Sequence, residues 1–161
     1  MTIYLGADHA GFAFKEAIKE WLEQEGRAVQ DMGARVLDPD DDYPDFAASV
    51  ARRAAQDPES RGILLCGSSE GICIAANKVK GIRAVAPLSK EAARLSRAHN
   101  DANVLCLPGG QMKTPVPELA MSLEKAKKLI TVWLLTPFSN EERHARRIAK
   151  IAALESLVKG G

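Results

Sequence analysis

The feature that most constrains the fold is the stretch from Gly62 to Lys78, which reads GILLCGSSEGICIAANK. Its apolar run is continuous rather than alternating, which is typical of a strand buried on both faces of a parallel sheet. Small residues follow directly, and a segment compatible with a helix comes after them. The pattern predicts a strand, an anion-binding loop and a helix, with Cys66 at the carboxyl end of the strand.

Cys66 has two interpretations. Oriented amides and a helix N-terminus favour a thiolate, which predicts a pKa below that of a free cysteine and a candidate base beside an anion hole. For a cysteine taken alone, packing is the more frequent explanation. Spacing excludes two related loops, because no Lys-Ser/Thr pair closes a Walker loop and Ile72 stands where a low-molecular-weight tyrosine phosphatase has arginine.

The rest of the chain continues the alternation of strand and helix. Beside the opening strand and its helix, strands are predicted at 2–7, 27–31, 83–86 and 103–107, and helices at 12–25, 45–55, 89–98, 117–135 and 140–158. Residues 33–44 and 108–114 are predicted to be loops. This order predicts a single α/β domain over 1–161, with a doubly wound, Rossmann-like parallel sheet of about five strands and helices on both faces.

Helical spacing predicts which residues of the first helix face the core. Its inner stripe consists of Phe14, Ala17, Ile18, Trp21 and Leu22. Trp133, on the long helix predicted at 117–135, is also expected to lie in the core.

Composition excludes several classes of function. A chain of 161 residues with 46% hydrophobic residues is expected to bury an adequate core. A net charge of +1 indicates neither nucleic acid nor membrane as a partner, and no apolar run approaches membrane-spanning length. Three cysteines without a CxxC pair favour a reducing cytoplasm, and the strand-like run after Met1 predicts no cleavable leader.

Polar residues gather at the ends of the predicted elements. The first strand ends in Asp8-His9, and the fourth helix is followed by His99-Asn100-Asp101. The third histidine, His144, lies between two arginines. Each histidine alone is more often a surface or hydrogen-bonded residue than a catalyst. Their joint placement, with Cys66 at another strand end, favours a site.

Five segments together resemble the B-type ribose-5-phosphate isomerases, which are grouped with galactose-6-phosphate isomerase subunits. The segments are GADHAGF near the start, DYPDFA at 42–47, ILLCGSSEGICIAANKVKGIRA, LSRAHNDANVL and ERHARRI near the end. They follow the family's order and span most of the chain, so the joint match is specific although each piece alone is weak.

The resemblance implies an aldose–ketose isomerase that uses no cofactor or metal and acts through an enediolate. Ribose 5-phosphate to ribulose 5-phosphate is the leading reaction. One branch of the family has a cysteine base at the Cys66 position and another has a glutamate at the position of Ile72, so this chain resembles the cysteine branch. Asp8 and His99 resemble the residues that assist ring opening, and Ser68 stands where a threonine often helps.

The resemblance also implies a group that binds the substrate phosphate: His9, Arg143 and Arg147. The two arginines are one helical turn apart and share a face, which suits phosphate, although a solvated basic face explains the same spacing. Tyr43 matches a position that lines the sugar site, and a packed loop tyrosine explains it equally well. Substrate oxygens would be held by Asn100 and by the loop amides of Gly67, Ser69, Glu70 and Gly71.

The resemblance implies a homodimer with shared active sites, or a higher oligomer. The helix at 140–158 is expected to contribute to the dimer and to the phosphate site. Two alternatives stay open. One is the same chemistry on a four- or six-carbon sugar phosphate, and the other is a non-catalytic subunit that binds a sugar phosphate.

Several residues have plain interpretations or depart from the family pattern. The aspartates at 38 and 40–42 lack the glycine and glutamate of a calcium loop and are predicted to be solvated. Cys73 and Cys106 are predicted to be core thiols. Glu70 either repels an anion or points to solvent at a helix N-terminus. Gln111 stands where arginine is common, and the segment 112–123 is longer than usual.

Overall fold

The computed structural model describes residues 1–109 and 121–157. Strands and helices alternate along the chain, as predicted. The strands are β1 (Thr2–Ala7), β2 (Ala28–Asp31), β3 (Arg61–Cys66), β4 (Ala84–Val85) and β5 (Val104–Pro108). The helices are α1 (Phe12–Gln24), α2 (Tyr43–Gln56), α3 (Glu70–Ala76), α4 (Lys90–Asn100), α5 (Leu123–Leu135) and α6 (Glu142–Leu157).

The five strands form one parallel sheet in the order β2-β1-β3-β5-β4, which confirms the predicted single α/β domain. The chain adds β2 on one side of β1 and the remaining strands on the other. The strand order therefore reverses between β1 and β3, where Ala7 is in register with Leu65. In open α/β sheets, ligands bind outside the carboxyl ends of the strands at such a reversal.

Helices cover both faces of the sheet. One apolar layer joins the sheet to α1, α4 and α5, and Trp133 is fully buried in it, as predicted. The other layer joins the sheet to α2 and α3 and includes Cys66 and Cys106. Residues 63–65 have no exposed surface, because alternate side chains of β3 point into the two layers.

Several predicted boundaries were wrong. Helix α2 begins at Tyr43 instead of 45, because Pro44 is compatible with the first helical turn, where its missing N–H needs no partner. Helix α5 begins at Leu123, after Ser122, whose side-chain oxygen accepts the Lys125 N–H. Residues 121 and 122 therefore precede the helix, although the prediction placed them within it. Strand β4 comprises two residues rather than four. The parts of the predicted loop and helix at 110–120 lie outside the described residues.

Lys15 is a buried charge that the apolar pattern of α1 did not predict. Its side chain has no exposed surface, and its ammonium group lies 2.6 Å from Asp31 Oδ2 and 3.1 Å from the Ala34 carbonyl oxygen. Lys15 therefore ties α1 to the end of β2 and to the loop that follows. Ala17 and Trp21, in contrast, are only partly buried.

Close packing explains why position 11, in the segment GADHAGF, is a glycine. A side-chain Cβ at this position would lie 2.7 Å from the Leu65 carbonyl oxygen, which is closer than a carbon atom can approach. The turn after β1 therefore packs directly on the main chain of β3.

The two tryptophans give a matched test of the core. Trp133→Ala is expected to lower the free energy of unfolding by about 3–5 kcal/mol, because it empties a fully buried site. The Trp21 ring is half-buried and lies beneath Lys127, so Trp21→Ala is expected to lower the free energy of unfolding by less than about half as much. Urea unfolding at one protein concentration measures both. Equal losses would contradict this arrangement of the α1 and α5 faces.

Candidate active site

Cys66 ends β3, and the backbone N–H groups of Ile72, Ser69 and Ser68 lie near its sulfur, where they favour the thiolate. The loop converges on this atom because Ser69 adopts a left-handed conformation with φ of 70°, which turns the chain sharply into α3. The predicted nest of amides is therefore present, and it surrounds the thiol itself.

The predicted direction of the Cys66 pKa was wrong. Burial raises the pKa of the thiol above its ordinary value, since the side chain is only 4% exposed. The N–H groups of Ile72, Ser69 and Ser68 oppose this effect, and the negative charge of Asp8 adds to it. The free chain therefore favours the protonated thiol.

Asp8 ends up beside Cys66 because β1 and β3 are neighbours with their carboxyl ends at the same edge. Its side chain is 5% exposed, and its Oδ1 accepts the Gly11 N–H at 3.0 Å. Burial raises the pKa of Asp8, although the hydrogen bond from Gly11 and the nearby His9 oppose the shift. Two groups able to exchange protons thus share one edge of the sheet.

His9 is held by a residue that sequence reasoning left out of the site. Asp41 Oδ1 lies 2.8 Å from His9 Nδ1, so the prediction that all four aspartates of this loop are solvated was wrong for Asp41. The pairing joins residues 32 positions apart, and no local pattern indicates it.

Tyr43 and the anion loop are in contact. A Cβ at position 71 would lie 2.8 Å from Tyr43 Cζ, so Gly71 leaves the space that the tyrosine ring occupies. The hydroxyl oxygen of Ser68 accepts the Glu70 N–H at 3.4 Å, and the Glu70 residue is exposed at the start of α3. The "Cys66 half-site" comprises Asp8, His9, Tyr43 and the segment 66–71.

His99 and Asn100 lie at the opposite edge of the sheet. They form the last turn of α4, rather than following it as predicted, and α4 returns the chain to the amino end of β5. Arg83 Nε donates to the Asn100 carbonyl oxygen, which fixes this end beside the start of β4. With strands of five or six residues, the two edges are roughly 15–20 Å apart.

His144 is a second residue that sequence reasoning did not assign. Its ring stacks on the His99 ring with a centroid distance of 4.2 Å, and its Nδ1 lies 2.8 Å from Ser139 Oγ. His144 is 2% exposed, and burial lowers its pKa, with a further contribution from His99.

Arg143 and Arg147 flank His144 on α6, and both are exposed. Arg143 Nε donates to Glu141 Oε2 at 2.8 Å. These arginines therefore lie on the side of His99, away from Cys66. The "His99 half-site" comprises His99, Asn100, Arg143 and Arg147. Gln111 lies outside the described residues.

No group of three or more His, Cys, Asp or Glu side chains within 1–109 and 121–157 is placed to hold a metal ion. In the same part of the chain, no helix combines the length and apolar character needed to cross a bilayer.

Comparisons with known proteins identify the family of the chain. A family model described as Ribose/Galactose Isomerase matches residues 3–151. The chain is 44% identical over 155 residues to ribose-5-phosphate isomerase B of Mycolicibacterium paratuberculosis, covering 96% of this chain and 92% of that protein. It is 36% identical over 157 residues to D-erythrulose-4-phosphate isomerase 2 of Mycolicibacterium smegmatis, covering 96% and 97%.

A solved structure is similar over nearly the whole fold. Ribose-5-phosphate isomerase B of Mycoplasma genitalium with bound ribulose-5-phosphate superposes with a TM-score of 0.86 at 37% identity, covering 96% of both chains. Because the family model and these relatives extend over almost the entire sequence, the chain belongs to the ribose/galactose isomerase family.

Proposed function

We propose that the chain interconverts ribose 5-phosphate and ribulose 5-phosphate through an enediolate, with Cys66 as the base. The observation that carries this proposal is the position of Asp8 near the Cys66 thiol at the reversal of strand order, where backbone N–H groups converge on the sulfur. Membership of the isomerase family and the ribulose-5-phosphate complex of the Mycoplasma genitalium relative support the substrate class.

The reaction moves one proton between two carbons. The base removes the proton from C2 of the open-chain aldose, and the released electron pair forms the C1–C2 double bond while O1 becomes an oxyanion. The O2 proton then passes to O1, C2 becomes the carbonyl carbon, and C1 receives a proton from the base. Cys66 can perform both transfers, because a thiolate accepts a proton and a thiol returns it.

The raised pKa of Cys66 means that catalysis uses the less populated thiolate form of the thiol. The same N–H groups that point at the sulfur stabilise that anion. We assign the loop amides of Gly67, Ser69, Glu70 and Gly71 to the enediolate oxygens, with the Ser69 N–H shared between the sulfur and the substrate, because preorganised N–H donors lower the barrier where negative charge develops. The exposed position of Glu70 keeps its carboxylate away from this charge.

Opening of the sugar ring requires one group to donate a proton to the ring oxygen and another to accept the proton of O1. Asp8 suits an exchange of this kind, because its raised pKa lies closer to neutrality than that of a free carboxyl. We assign the second role to His99 of the other half-site, and we assign the Ser68 hydroxyl to orienting the ring.

We infer that two copies of the chain complete each site. The Cys66 and His99 half-sites lie at opposite edges of one sheet, so a single chain cannot bring both to one small sugar phosphate. In a symmetric dimer, each Cys66 half-site can face the His99 half-site of the other copy, which gives two equivalent sites.

The surface of α6 supports this dimer. Ile151 and Leu154 are 42% and 61% exposed, and they line a groove of about 590 Å³ together with Val79 and Ile82. The exposed side chains of Ile151 and Leu154 would lose their contact with water if a second copy covered this groove. The helix that carries Arg143 and Arg147 thus also provides contact area for a second copy.

The phosphate would be held from both sides, by His9 of one copy and by Arg143 and Arg147 of the other. A guanidinium group can donate two parallel hydrogen bonds to the oxygens of a phosphate. The ion pair of Arg143 with Glu141 is exposed and therefore weak, so a phosphate can take the place of Glu141. Because the phosphate is remote from C1 and C2, its binding energy positions the reacting carbons. Asn100 and Tyr43 are assigned to the sugar hydroxyls.

A cytoplasmic location is part of the proposal. Cys66, Cys73 and Cys106 are all free thiols, and a base at Cys66 requires that the sulfur stay reduced. Reducing compartments maintain this state.

The D-erythrulose-4-phosphate isomerase relative makes a four-carbon sugar phosphate the principal competing substrate. A panel of four-, five- and six-carbon sugar phosphates, assayed for aldose–ketose conversion, tests the choice. We expect the highest kcat/KM with ribose 5-phosphate. Preference for another sugar would overturn the assignment of substrate, and turnover of none would favour a subunit that only binds sugar phosphates.

Cys66→Ala is expected to abolish isomerisation while the fold and phosphate binding stay largely intact, because only the proton-transfer group is lost. Cys73→Ala is the matched control, since this thiol lies on α3 outside the proposed machinery, and it should retain activity. Steady-state assays and phosphate titration measure these properties. Near-normal turnover by Cys66→Ala would exclude it as the base.

A mixed-dimer experiment tests the shared site. Cys66→Ala and His99→Ala chains, each inactive alone, are unfolded together and refolded. Random pairing makes about half of the dimers mixed, and each mixed dimer contains one intact site, so roughly a quarter of unsubstituted activity should return. Native mass spectrometry establishes that mixed dimers have formed. Mixed dimers without activity would mean that both residues act in the same chain.

A further inference from the structure

The loop between β2 and α2 brings one carboxylate back onto His9. Asp41 Oδ1 accepts the His9 backbone N–H at 2.8 Å and lies 2.8 Å from the His9 ring Nδ1. The Asp41 side chain is 9% exposed, whereas the His9 side chain is 38% exposed. A single oxygen atom therefore holds the main chain and one ring nitrogen of His9, while the ring as a whole stays open to a ligand.

This contact determines how the His9 ring is protonated. A carboxylate oxygen only accepts hydrogen bonds, so Nδ1 carries a proton and Nε2 is the ring nitrogen left for a ligand. The hydrogen bond with Asp41 raises the pKa of His9, against a smaller opposing effect of desolvation, and the charges of Asp8 and Asp41 add to the rise. The cation, in which Nε2 also donates, therefore persists to higher pH than in a free histidine.

Among the described residues, the other charges near His9 either disfavour its cationic form or make no hydrogen bond with its ring. His9 lies three residues before the first residue of α1, and the positive end of a helix disfavours a cation nearby. In the proposed dimer, Arg143 and Arg147 of the partner subunit would bring further positive charge. Within the described residues, the acidic groups that act on His9 are Asp8 from the same turn and Asp41 from the loop, and Asp41 alone bonds to its ring.

The environment of Asp41 favours a charged partner. Its second oxygen, Oδ2, is buried and has no hydrogen-bond partner among residues 1–109 and 121–157. A carboxylate in this position is compensated best by an adjacent positive charge. Asp40, one residue earlier, is exposed, and its backbone N–H donates to Asp38 Oδ1.

We propose that Asp41 is a positioning residue that fixes the His9 ring through Nδ1 and supplies its counter-charge, so that His9 presents Nε2–H to the phosphate of the substrate. The inference rests on the proposed function, in which His9 binds that phosphate. Asp41 acts through His9 and touches no substrate. The acidic loop thus contains one functional carboxylate among solvated ones.

Asp41→Asn tests the proposal, because asparagine keeps the size and an acceptor oxygen but removes the charge. Asp40→Asn is the matched control. The chain has three histidines, so NMR can follow each ring as the pH changes. We expect the His9 midpoint to fall by roughly one pH unit or more in Asp41→Asn and to stay unchanged in Asp40→Asn. An unchanged midpoint in Asp41→Asn would mean a structural role only and would overturn the proposal.

Binding of inorganic phosphate, followed by the His9 resonance and by inhibition of isomerisation, gives the second measurement. Between the lowered and the original midpoint, His9 is charged in the unsubstituted chain and neutral in Asp41→Asn. In that interval we expect phosphate to bind about tenfold more weakly to Asp41→Asn, and the KM for the sugar phosphate to rise with little change in kcat. Below both midpoints, His9 is charged in both proteins and the difference should disappear.

Equal weakening at every pH, or none, would overturn the assignment of Asp41 to phosphate binding. Failure of the proposed function has a different signature. If the unsubstituted chain converted no sugar phosphate, the isomerase proposal would fail, whereas the His9 midpoint and phosphate binding followed by NMR would still support or overturn the role of Asp41, because neither needs turnover.

Discussion

One constraint governs where chemistry can occur in this protein: all strands of the sheet run in the same direction. Each connecting helix must therefore carry the chain from the carboxyl edge back to the amino edge. The adjacency of β1 and β3 places Asp8 beside Cys66, and the return through α4 places His99 at the far edge. The proposed division of the site into two halves follows from strand direction and not from details of side-chain packing.

Burial divides the site residues into two electrostatic groups. Asp8 and Cys66 lie in the low-dielectric edge of the core, and burial raises the pKa of both, which favours their neutral forms. His9, Arg143 and Arg147 remain accessible to solvent, where a full positive charge costs little. Groups suited to proton transfer are thus separated from groups suited to a phosphate dianion.

Sequence periodicity predicted the features that depend on burial, such as the continuous run at 63–65 and the core position of Trp133. It failed where a contact is set by the path of a loop, because nothing near Asp41 in the sequence indicates a partner 32 residues away. The pKa of Cys66 was misjudged for a related reason. Small residues indicate that amides will converge, but they do not indicate how deeply the thiol lies below the surface.

The opposite placement of the two half-sites has a consequence for how such a protein can change over generations. In a dimer of the proposed kind, a chain that loses Cys66 can still provide His99 and both arginines to its neighbour. After gene duplication, the two copies could each lose a different half-site and remain active as a pair. Mutual dependence of two diverged subunits then requires only the loss of residues, because the interface that joins them is already in place.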